Sequence, residues 1–181
     1  MSNSECIDLK HDLTKVCIMS IVARVYQGND LSTGFMQSVL FDLAGFTVYH
    51  LAIAPLIKET QSGMEEGPMK RLYETVVFIS TIKIISGVLS GKDIKGSEFM
   101  NDLIFTIIGF SVYDIVTLDI INSQTITDPL MSTITHDLVQ FGGMFTVVQL
   151  LNSRDLSDPT FVQGTIASLI GLVVADFFTS L

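Results

Sequence analysis

A short segment recurs three times along the chain at nearly constant spacing, and any fold must accommodate that periodicity. VLFDLAGFTVYHL at 39–51 lies over DLIFTIIGFSVYDI at 102–115, with Gly45, Phe46, Val48 and Tyr49 matching Gly109, Phe110, Val112 and Tyr113 at an offset of 64. A third copy, SLIGLVVADFF at 168–178, sets Gly171, Leu172, Val174 and Asp176 under Gly109, Phe110, Val112 and Asp114 at an offset of 62. The residues before these segments also correspond. Asp30-Leu31, Asp93-Ile94 and Asp155-Leu156 precede the triplets Phe35-Met36-Gln37, Phe99-Met100-Asn101 and Phe161-Val162-Gln163, and His11-Asp12-Leu13 recurs as His136-Asp137-Leu138.

Each unit of about 62 residues reads as helix, short Asp-containing turn, helix, then a more variable connection. The units cover about 11–57, 71–121 and 131–181 of a single domain spanning 1–181, with helices expected near 13–28, 33–57, 71–90, 98–121, 131–152 and 160–180. With 48% hydrophobic and only 16% charged residues, the chain is less charged than soluble domains, which carry about a quarter. Six spans of about 20 residues would take up roughly two thirds of it. The expected class is therefore all-α: a polytopic membrane protein of about six transmembrane helices, arranged as three helical-hairpin repeats. A soluble bundle is the rival, since Lys15 and Arg24 interrupt the first helix. Against it, 103–113 and 166–175 are apolar on every side, where a water-exposed helix needs a polar face. All repeats share one polarity, which fits either pseudo-threefold symmetry or a linear array.

The net charge of −9 and the sequence pI near 4.5 exclude a phosphate-gripping surface, so no nucleic-acid partner is expected. Cys6 and Cys17 form no disulfide framework and have no neighbour at metal-ligand spacing; both are expected as thiols, and no metal or cofactor is implied. The polar start MSNSECIDLKHD lacks the features of a secretory leader. No nucleophile elbow, P-loop, zinc-protease helix or dinucleotide fingerprint occurs, so no catalytic residue is assigned and the chain is read as non-enzymatic. The adjacent His-Asp pairs at 11–12 and 136–137 read as helix-start residues.

Ionisable residues at bilayer depth are costly and demand partners or a wet cavity. His50, Asp114 and Asp176 occupy one repeat position, while basic Arg24 and Lys83 on the odd-numbered helices are candidate ion-pair partners. Two readings of these groups stand side by side. They converge as an intramembrane polar axis for protons or cations, or they pair near the interface and set the register of the bundle. Tyr49 and Tyr113 read as interfacial anchors with wet hydroxyls. Lys10, Lys15, Lys58, Lys70 and Arg71 fall on the side of the termini, against Lys92, Lys95 and Arg154, with Arg24 close by, on the turn side. By this small margin the positive-inside rule favours termini on the cytoplasmic or particle-interior side.

Two functions remain: a structural, scaffolding membrane protein, or a small proton or cation channel or transporter using His50, Asp114 and Asp176. The acidic multi-pass build and the repeats around GFTVYH and GFSVYD resemble the small multi-pass proteins that large icosahedral DNA viruses place in the membrane beneath their capsid. The resemblance implies a virion inner-membrane protein that holds membrane to shell. Its partners would be the bilayer and other membrane or capsid proteins, met through the turns at Asp30, Asp93 and Asp155 or the connection QSGMEEGPMKR at 61–71. An oligomer is compatible with it.

Overall fold

The computed structural model describes residues 3–65, 67–117 and 126–180. Among them the chain forms six helices and no strand: α1 (Asn3–Tyr26), α2 (Thr33–Thr60), α3 (Pro68–Leu89), α4 (Ser97–Val112, prolonged by a π-helical turn at Tyr113–Thr117), α5 (Pro129–Leu151) and α6 (Pro159–Thr179). α1 starts ten residues before the expected 13, because its opening turns are polar and give no apolar signal. The expected end of the fourth helix at 121 lies outside the described residues.

Local chemistry sets the ends. Ser32, Asp128 and Asp158 cap α2, α5 and α6 by accepting hydrogen bonds from first-turn N–H groups, which satisfies donors that have no partner within the helix. At the other end, α1, α3 and α5 each stop two residues before a left-handed residue: Gly28 (φ 69°), Gly91 (φ 70°) and Ser153 (φ 55°). The N–H of Asn29, Lys92 and Arg154 then reaches back to the carbonyl of Arg24, Gly87 and Gln149. This reverse bond terminates a helix and turns the chain. Within α2 a π turn spans Tyr49–Ile53, the Ala54 N–H bonding to the Tyr49 carbonyl. Pro55 has no N–H to give Leu51, and the helix widens just before it.

α2, α3, α4 and α6 are each long and apolar enough to cross a membrane. In the most apolar stretch of α2 and of α3 only 11% of residues are buried inside the protein, rising to 39% in α4. Leu40, Leu56, Met69, Val88, Ile104, Ile166 and Phe178 are all exposed. Apolar surface thus points outward, the reverse of a soluble bundle.

The helices close into a ring. α1–α2, α3–α4 and α5–α6 pack as hairpins, α2 packs on α3 and α4 on α5, and α6 returns to α1 in the most extensive contact of all. Three of these seams depend on glycine. A Cβ at Gly45 would lie 2.8 Å from the Ile82 Cα, one at Gly109 3.0 Å from the Met144 Cα, and one at Gly171 2.5 Å from the Met19 carbonyl oxygen. Each glycine sits twelve residues into its helix, and each partner seven residues before the end of its own. Backbones approach this closely only where a side chain is missing. Ile79, Phe99, Leu103, Phe110 and Met144 form the buried apolar core between α3, α4 and α5.

Candidate functional site

The ring encloses a cavity of about 730 Å3 walled by residues from all six helices. A helix rises about 1.5 Å per residue, so counting from the turn ends sorts the wall into levels. Lys83, Lys92 and Asp102 stand near the turns. Phe46, Phe78, Ile79, Ile82, Phe141 and Met144 line its middle, together with the polar Lys15, Thr106 and Gln140. Beyond it, Asp12, Thr75 and Asp137 mark the opposite mouth. These last three lie fourteen residues before the ends of α1, α3 and α5, so they share one level, roughly 21 Å from the turns.

His50, Asp114 and Asp176 lie seventeen residues into α2, α4 and α6, and each reaches the polar residue of its own hairpin or a cation shared with it. His50 Nε2 is 2.8 Å from Asp12 Oδ2. Thr75 Oγ1 donates to Asp114 Oδ2 at 2.5 Å, and Arg71 Nη2 donates to the Asp114 main-chain carbonyl at 3.4 Å. Asp176 and Asp137 share Lys15 of α1: Lys15 Nζ is 2.6 Å from Asp176 Oδ1 and is also ion-paired to Asp137. The Asp176 side chain is only 1% exposed and those of Lys15 and Asp137 16% each. At such burial a charge without a partner would cost several kcal/mol, and the pairing offsets that cost.

Of the three repeated positions, two therefore meet at α1. His50 joins Asp12, and one turn along the same helix Lys15 holds Asp137 and Asp176. Asp114 stands apart at the α3–α4 contact, within its π turn. Tyr113, expected as a wet anchor, is buried, and its hydroxyl is hydrogen-bonded to His136 Nδ1 at 2.5 Å, joining α4 to α5. Tyr49 packs edge-on against Phe78. His11 and His136 lie well inside α1 and α5, not at helix starts.

Neither basic candidate partners the repeated position. Arg24 lies over the Phe35 ring, 5.3 Å from its centroid, and its Nε donates to the Asp30 carbonyl at 3.1 Å. Lys83 pairs with Asp102 at 2.8 Å at the half-exposed turn end. Asp30, Asp93 and Asp155 all occupy exposed turns at that end. Asp93 Oδ1 accepts from the Lys95 N–H, and Asp155 Oδ1 from the N–H and hydroxyl of Ser157. The Ser157 N–H and hydroxyl hold the Asp155 carboxyl below the ordinary carboxylate range, because these bonds favour its charged form.

Lys15, the centre of the most buried ion-paired group, was not among the residues singled out by the sequence. It registers there as a charge that weakens the first span and as one of the basic residues on the side of the termini, although the recurrence of Asp12 as Asp137 marks the level at which it acts. Among the described residues, no group of three or more His, Cys, Asp or Glu is placed to hold a metal ion. Comparison with protein-family models, with curated proteins and with solved structures returns no match to this chain.

Proposed function

We propose that the chain is a non-enzymatic membrane scaffold in which three hairpins cross the bilayer six times as a closed ring. The observation that carries this reading is the mutual pairing of charges between the helices. His50 with Asp12, and Lys15 with Asp137 and Asp176, join α1, α2, α5 and α6. Charges that satisfy one another fix helices in register. The outward apolar faces of four helices support a lipid surround.

The resemblance to capsid-associated membrane proteins extends the proposal. The turns at Asp30, Asp93 and Asp155 lie together at one end, and there they would meet a shell or neighbouring membrane protein. The cavity favours a second reading, a small proton or cation channel, since Asp12 and Asp137 stand at its mouth. Reconstitution into liposomes separates the two. The scaffold predicts no flux above that of empty vesicles, and a proton or cation flux abolished by Asp12→Asn at the cavity mouth would overturn it. Co-purification with a shell protein, lost when Asp30, Asp93 and Asp155 are replaced by Ala, would support the capsid-facing role.

A further inference from the structure

We propose that α1 is the ring-closing helix, entering the membrane only after α5 and α6 are in place and drawn in by the seat that Asp137 and Asp176 form for Lys15. This rests on the six-span reading. α1 and α5 lack the apolar length of the other four helices, and their polar groups answer one another. α1 brings Asp12 and Lys15 at cavity level, and each has its counterpart elsewhere: His50 on α2 for Asp12, Asp137 on α5 and Asp176 on α6 for Lys15. No other charged residue occurs in α6, and α5 adds only His136. Alone in lipid, α1 would carry unmatched charges, which insertion disfavours. In the ring those at cavity level are paired.

Chain order supplies the sequence of events. α1 is synthesised first, yet its most extensive contact is with α6, whose Gly171 receives the Met19 main chain and whose Asp176 receives Lys15. Neither contact exists until the last hairpin has been made. Until then α2 can span without α1, and α1 waits on the turn side of the bilayer.

The test uses the full chain with Cys17→Ala, so that Cys6 is the single target of a membrane-impermeant maleimide applied from either face of sealed vesicles. Cys6 is expected on the side opposite the turns. If it is found on the turn side, the six-span reading itself fails. Lys15→Glu, which sets a third carboxylate against Asp137 and Asp176, is expected to shift the ratio of Cys6 labelling between the two faces at least tenfold towards the turn side. Adding Asp176→Lys to Lys15→Glu is expected to restore it. Arg24→Glu, the same charge change outside the seat, is expected to leave it unmoved. In a parallel set lacking Cys6, Lys92→Cys reports that the remaining helices hold their places. An unchanged ratio in Lys15→Glu, a failed rescue, or an equal shift in Arg24→Glu overturns the inference.

Discussion

Gly171 lies directly against the main chain of Met19, so that a Cβ at 171 would meet the Met19 carbonyl oxygen at 2.5 Å. Backbone cannot yield as a flexible side chain does. Gly171→Ala should therefore lower stability by about 1–3 kcal/mol through overpacking, more than offsetting the gain of up to ~1 kcal/mol that alanine brings to a helix. Gly45→Ala and Gly109→Ala should act in the same direction. Gly143, within α5 and with open space around its Cβ direction, is the control: Gly143→Ala should be neutral or slightly stabilising. Thermal unfolding of the detergent-solubilised variants measures all four.

The seat around Lys15 predicts strong non-additivity. Lys15→Ala strands the buried Asp176 carboxylate and leaves the part-exposed Asp137 without its cation, and should cost about 3–5 kcal/mol, the range for breaking a buried pair. Asp176→Asn retains the shape and leaves Lys15 with Asp137, so it should cost less. A double-mutant cycle of Lys15 with Asp176, followed by denaturation, should return a coupling of about 0.5–3 kcal/mol. Strict additivity would mean that the pair contributes nothing to the fold.

Ser153 does with a side chain what Gly28 and Gly91 do without one, holding φ at 55° after the end of α5. A non-glycine residue in the left-handed region costs roughly 1–2 kcal/mol. Ser153→Gly should raise the melting temperature, and Gly91→Ala should lower it.

The Asp155 turn carries a pH signature. Its carboxyl is held low by the Ser157 N–H and hydroxyl, so the folded turn binds a proton less readily than the unfolded chain. The contribution is present above the ordinary carboxylate range near pH 4 and is lost as pH falls through the depressed value. Ser157→Ala should move the Asp155 titration upward, as followed by its carboxyl NMR signal, while leaving the α5–α6 contacts in place.

Much of the helix arrangement was legible because five of the six helices carry a start or stop signal at one end at least. Ser32, Asp128 and Asp158 precede three of the helices, and Gly28, Gly91 and Ser153 follow three. The recurrence of Gly45, Gly109 and Gly171 marked a common position, and its physical reason is backbone contact with the neighbouring hairpin. What was not legible is which partner each charge finds. His50, Asp114 and Asp176 look equivalent in one dimension, yet their partners are Asp12, Thr75 and Lys15, and only the closing of α6 on α1 brings Lys15 into reach. Tyr113 likewise reads as a headgroup anchor until the approach of α5 places His136 against its hydroxyl.

The outer surface of the ring has a consequence of its own. Met36 and Leu40 on α2, Met100 and Ile104 on α4, and Val162 and Ile166 on α6 are all exposed, and they stand three and seven residues into their helices in each case. An equivalent pair of apolar side chains therefore faces outward at three places around the ring.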